Sequence, residues 1–248
     1  MSDSDDEYCH ESPAHVAESW KDRLQVPCLL AQREIPCLVF GEDALSLVFH
    51  VPTVLFSLHI LVADKHVGQA VEAITRSSFP YKINTDHLIP NYNDPIIVDP
   101  DQTKAYPNSI HLRNTNEPAD KHQSSQIIIH PETHFNFIID DYKLSTSVFM
   151  FPEALFPESV RLPQRAAMVD SIIDSLLDPN SGVVTIVGSR ELRRWLAYII
   201  VYGICRDSKI VVAEQLHPDT QELINAVKVE NRPFLEAWKY SAGKWESC

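Results

Sequence analysis

The chain has 248 residues, 44% of them apolar and 22% charged, with 21 Lys+Arg against 34 Asp+Glu for a net charge of -13. This fits one large globular domain or two small ones, with apolar residues enough to bury a core without staples. Six of the acids fall in the first twenty residues, which hold no Lys or Arg, leaving 28 acids against 21 bases. Such a surplus argues against binding DNA or an anionic membrane, since both need excess Lys/Arg.

Five cysteines (Cys9, Cys28, Cys37, Cys205, Cys248) are odd in number and form no C-x-x-C pair. They make neither a disulfide framework nor a zinc-finger spacing. The opening MSDSDDEYCHES is acidic, the reverse of a signal or transit peptide. The longest near-apolar run, Trp195 to Cys205, falls short of the roughly 20 residues a membrane span needs. The expected setting is therefore cytoplasmic and reducing.

Taken in chain order, residues 1–12 read as a disordered acidic tail with almost nothing to bury. A helical pattern starts at Ser12-Pro13 and runs through Val16, Trp20, Leu24, Cys28 and Leu29, with Pro27 expected to split it. Cys37 to Phe40 reads as a strand ending at Gly41, and Glu42 to Phe49 as a helical turn. The clearest strand is Val54 to Ala63, with Leu58, Ile60 and Val62 on one face and Ser57, His59 and Leu61 on the other. Its nearly continuous apolarity predicts a central strand. Asp64 is expected to cap a helix with Val67, Ala70, Val71 and Ile74 on its apolar face.

From Phe79 to Ser124 the pattern dissolves, with Ile96 to Val98 and Ser109 to Leu112 as strand fragments, so a functional loop or insertion is expected. Gln126 to Ile129, Phe135 to Ile139 and Val183 to Val187 read as further strands. Helices follow at Met168 to Leu177, from Gly188-Ser189 through RELRRWLAYIIVYGIC, from Pro218 to Val227 and from Arg232 to Tyr240. The order predicts a mixed α/β (α+β) core with flanking helices: the tail at 1–12, the core at 13–160, and a helical C-terminal part at 161–248. Six glycines and no G-x-G-x-x-G or G-x-x-x-x-G-K-[ST] exclude the Rossmann and P-loop phosphate cradles.

The segment PCLVFGEDALSLVFHVPTVLFSLHILVAD resembles the nucleotidyltransferase fold: a strand ending in Gly, a short helix, then a strand with paired positions on one face. In that family a Gly-Gly or Gly-Ser turn holds phosphates and two acids at i and i+2 bind metal, with a third acid on a later strand. Here Glu42 follows Gly41, and the paired positions carry Ser57 and His59, with Asp140 or Asp141 available as the third acid. One carboxylate with a Ser and a His is a poor Mg²⁺ site, so neither metal nor cofactor is expected. The same segment, with LPQRAAMVDSIIDSLLDP, is similar to a large group of fungal proteins. That resemblance implies the arginine-containing cyclodipeptide synthases of fungal secondary metabolism, which join two aminoacyl groups taken from tRNA.

Each candidate has a plainer reading beside the functional one. Ser57 and His59 are a nucleophile and base or satisfied core groups, and Glu42 is a catalytic carboxylate or a helix-start acid. Gly41, Asp43, Asp140 and Asp141 bind substrate, the acids taking a guanidinium, or they are turn and helix-end residues. Arg161, Arg165, Arg190, Arg193 and Arg194 grip RNA phosphates or form a solvated face beside Glu191. Ser46, Ser109, Ser125 and Ser189 lack the G-x-S-x-G elbow of an esterase. His130 and His134 are four apart, but Pro131 between them argues against a shared helix face.

The leading expectation is an aminoacyl-tRNA-dependent acyl transferase that uses arginyl-tRNA. The alternatives are a nucleotidyltransferase-fold enzyme with a reduced metal site acting on a nucleotide, and a catalytically inactive binding protein of that fold.

Overall fold

The computed structural model describes residues 19–84, 106, 108–116, 123–148, 156–183, 186–204 and 218–235. The tail at 1–12, the start of the first helix and the fragment at 96–98 lie outside the described residues.

Residues 19–23 are helical, a turn follows at Leu24, and α1 runs Gln25–Gln32. The break falls just ahead of Pro27, which sits in the first turn of α1, where a missing N–H costs nothing. Strand β1 is Cys37–Phe40, α2 is Gly41–Phe49 and β2 is Ser57–Val62. Helix α3 is Val67–Thr75, and the strands β3 Tyr81–Ile83, β4 Ile110–Asn114 and β5 Gln126–Pro131 follow. The chain continues with β6 Ser145–Ser147, β7 Val160–Pro163, α4 Arg165–Leu177, α5 Ile186–Tyr198 and α6 Pro218–Ala226. A π-helical stretch, Ile199–Ile204, extends α5.

The strands form one mixed sheet in the order β3-β4-β5-β2-β1-β7-β6. Its centre is β2, antiparallel to β1 and parallel to β5, with Phe40 opposite His59, Ser57 opposite Gln126 and Leu61 opposite His130. Paired residues share a face, so the register places Ser57, His59, Gln126, His130 and His111 together. The other face carries Cys37, Val39, Leu58, Ile60, Val62, Ile127 and Ile129, all buried. There α1 and α3 pack against each other and the sheet, and the Cys37 thiol reaches the Pro27 carbonyl. No helix among the described residues is long and apolar enough to cross a membrane.

Three expectations are corrected. Phe135 to Ile139 is not a strand: a 3-10 turn spans Glu132–Phe135, and Asn136 (φ 47°) reverses the chain. The Glu132 carboxylate accepts from the Ile139 N–H at 2.7 Å, so alternating apolar residues fill a compact turn instead. At Val183 to Val187, Val183 belongs to a turn and helix begins by Ile186. Asp64 does not cap its helix but accepts from the backbone and hydroxyl of Thr133, tying the end of β2 to that of β5. The boundary expected at 160/161 falls inside β7, a strand of the same sheet. Of the helix expected at 232–240, residues 232–235 are helical and the rest lies outside the described residues.

Candidate functional site

Gly41 joins β1 to α2 at φ 64°, in the left-handed region that favours glycine. A Cβ there would lie 2.9 Å from the His59 ring and 3.1 Å from Trp195. The close approach brings three elements together: the start of α2, the middle of β2, and α5, which carries Trp195. Glu42 follows, buried, its Oε2 accepting from the Phe56 N–H at 3.2 Å.

Glu191, one turn into α5, faces the same region and accepts from the Tyr106 hydroxyl at 2.7 Å. Burial first, then the Glu191 charge, pushes the Glu42 carboxyl up to about 7, while the Phe56 N–H and Arg194 pull the other way. Burial also raises Glu191, opposed by Tyr106 and Arg194. Arg194 stands 3.8 Å from Glu191 and is half exposed, so the pair lies at the edge of the core. The indole Nε1 of fully buried Trp195 has no hydrogen-bond partner among the described residues. Two buried carboxyls with raised pKa and a buried donor without a partner among the described residues are thus contributed by the start of α2 and by α5.

Beside Gly41 and Trp195 lies a string of imidazoles that begins at His59. The His59 and His130 rings are near-parallel and meet edge to edge, with centroids 5.2 Å apart and His59 Nδ1 to His130 Nε2 at 3.0 Å. Ser109 Oγ lies 2.7 Å from His130 Nδ1 and 3.3 Å from His134 Nδ1. Tyr106, Phe135 and Trp195 frame the two rings edge-on. Burial lowers both histidines, His59 to about 3, so both are neutral. A second polar string links Ser57 Oγ to Gln126 at 3.3 Å, and Gln126 to His111 at 2.9 Å.

The predicted residues thus have separate fates. Gly41, Glu42 and His59 meet at one place, and Ser57 lies farther along β2, bonded to Gln126. Asp43 is fully buried and held by Arg23 through two hydrogen bonds of 2.8 and 3.0 Å. Asp140 and Asp141 sit on an exposed turn, Asp140 being 64% exposed and 4.0 Å from Lys65. Arg161 bonds to the hydroxyl and carbonyl of Ser145 at 2.7 Å and lies over the Tyr142 ring. Arg165 bonds to the Gly203 carbonyl and covers the Phe49 ring. Arg190, Arg193 and Arg194 occupy the exposed flank of α5.

Sequence reasoning missed Glu191, Tyr106 and Trp195 as site residues, and His130 as the partner of His59. His130 sits on β5, the strand that pairs in parallel with β2, whereas the third acid was sought farther on, at Asp140 or Asp141. Among the described residues no group of three or more His, Cys, Asp or Glu is placed to hold a metal ion.

No family model matches this chain. No curated protein matches it either. Among solved structures it is similar to the crystal structure of JHP933 from Helicobacter pylori, with 12% identity, 94% of this chain and 98% of that chain covered, and a TM-score of 0.36. A likeness that low carries no argument about fold or chemistry, so any reading of function rests on the site.

Proposed function

We propose that the chain is an aminoacyl-tRNA-dependent acyl transferase on a nucleotidyltransferase-like scaffold, forming an arginine-containing cyclodipeptide. The observation that carries this reading is Glu42, a buried carboxyl beside Gly41 whose pKa is raised to about 7. Joining two aminoacyl esters requires an α-ammonium group to lose its proton near neutral pH before it attacks. An α-amino group titrates at about 7.7–8.0, so a carboxyl near 7 is matched to take that proton. The ester is already activated, so the transfer needs no metal. Glu191, the second buried carboxyl close by, is the candidate partner for a substrate guanidinium.

On this reading the guanidinium role expected for Asp140 passes to Glu191. The exposed arginines of α5, Arg194 among them beside Glu191, are the candidate contacts for tRNA phosphates. The test is incubation of the chain with total tRNA, synthetases, ATP and amino acids, followed by mass spectrometry of small products. Arginine-containing cyclodipeptide should form, and Glu42→Gln should lower it about a hundredfold. No such product, or full activity of the variant, overturns the reading.

A second reading, a binding protein of the same scaffold without turnover, is favoured by the packing at Gly41. His59 and Trp195 crowd Gly41, the turn at which the resemblance implies a phosphate site. It predicts calorimetric binding of arginine or tRNA with no product. The same packing disfavours the nucleotide-using alternative.

A further inference from the structure

We propose that Ser109 is an activated serine nucleophile, with His130 as its base and His59 as the positioning residue, able to accept an acyl group from an activated carboxylic ester. This goes beyond the reading above and needs neither tRNA nor arginine. Ser109 precedes β4 and is half-buried, whereas His130 and His59 lie inside. Its Oγ is 2.7 Å from His130 Nδ1, and His130 Nε2 is 3.0 Å from His59 Nδ1. Nucleophile, base and orienting group are thus joined by successive hydrogen bonds.

Of the two proton arrangements that satisfy the string, the nucleophile role requires the following one. Ser109 donates to His130 Nδ1, His130 donates through Nε2–H to His59 Nδ1, and His134 holds the Ser109 oxygen from its other side. The edge-on rings of Tyr106 and Phe135, with centroids 4.8 and 4.9 Å from that of His130, keep the base from turning. Gly182 allows this packing, since a Cβ there would lie 2.2 Å from the His134 ring.

In the reaction Ser109 Oγ attacks the carbonyl carbon while its proton passes to His130 Nδ1. The ester C–O bond then breaks, and His130 returns the proton to the departing oxygen. Water or an amine releases the acyl group by the same steps in reverse. Burial leaves His130 neutral but a weak base, so the substrate class is an ester with a good leaving group rather than an amide.

The test uses the full chain and an alkyl phosphonofluoridate probe, whose fluoride leaves as Oγ bonds to phosphorus. Intact-mass and peptide analysis should find one label, on Ser109, absent from Ser109→Ala and from urea-unfolded protein. His130→Asn should slow labelling about a hundredfold, and His59→Gln about tenfold. No label, or labelling undiminished in a folded His130→Asn variant, overturns the proposal. Should His130→Asn fail to fold, ¹⁵N spectra of the unaltered chain decide: a proton on His130 Nε2 supports the base role, and one on Nδ1 overturns it.

Discussion

The two faces of the sheet obey different rules. On one, Leu58, Ile60, Val62, Ile127 and Ile129 alternate with the opposite face and are sealed by α1 and α3. The side chains of β2 and β5 named there are all apolar and their stability comes from removal of surface from water. On the other, Ser57 and His59 of β2, Gln126 and His130 of β5, and His111 of the adjoining β4 satisfy one another instead. Apolar residues at those positions would cost less to bury, because each polar group must find a partner or forfeit its hydration. A fold that needed only stability had no use for the second face as it stands. The polar string, the carboxylate pair and the left-handed glycine all lie on that side, and any chemistry has to be sought there.

The largest effect that would break this contrast is expected at Asp43. Arg23 grips it with two hydrogen bonds and also donates to the Leu55 and Ser57 carbonyls, fastening the helical segment at 19–23 to α2 and β2. Asp43→Asn strands a buried guanidinium and should cost about 3–5 kcal/mol, read as a lower denaturation midpoint. A loss below 1 kcal/mol would mean that water reaches the pair. Next comes Gly41→Ala, which places a methyl against His59 and Trp195 at a left-handed residue. About 2–4 kcal/mol is expected from strain and overpacking together. A comparable loss from Gly68→Ala, in open space, would show that neither strain nor crowding sets the cost.

The pH dependence sharpens the comparison, since the polar face contains groups of opposite sign. The unfolded chain protonates His59 near 6.5 but the fold holds it down to about 3. Its stabilising contribution is therefore complete above pH 6.5 and is lost as pH falls toward 3. His130 acts in the same direction. Glu42 acts in reverse: the fold keeps its proton up to about 7, whereas the unfolded chain releases it near 4.5. That contribution is complete below 4.5 and is lost as pH rises through 7. Glu42→Gln should therefore stabilise by about 2 kcal/mol at pH 8, with the gain nearly gone by about pH 3.5. Chemical denaturation at the two values reads it, and an equal gain at both would show that Glu42 is not protonated in the fold.

How much of this was legible beforehand follows from range. The strand at 57–62, the glycine ending β1 and the helix of Met168 to Leu177 are local patterns, and the period-2 and 3.6 rules find them. Phe135 to Ile139 misled because a compact turn with Phe135, Phe137 and Ile139 buried shows the alternation of a strand. The site was half legible. Gly41, Glu42 and His59 lie within twenty residues of one another, whereas Glu191, Tyr106 and Ser109 reach them only through sheet order and the seating of α5. Ser109 was set aside for lack of a local elbow, yet its partner His130 comes from the neighbouring strand. Nothing in the chain near residue 109 announces that pairing.

The smallest effect is expected at Asp140, the acid that sequence reasoning favoured most. Its carboxylate is 64% exposed, and its ion pair with Lys65 spans 4.0 Å between two groups open to solvent. Exposed pairs of that length contribute about 0–1 kcal/mol and weaken with salt. Asp140→Asn should therefore shift stability by less than about 0.5 kcal/mol and leave product formation unchanged. Glu42→Gln should lower turnover about a hundredfold without unfolding the chain. The pair of variants separates the two places where a guanidinium partner was sought. If Asp140→Asn lost activity and Glu42→Gln kept it, the substrate would sit on the exposed turn after Phe137, and the polar face of the sheet would be a satisfied core.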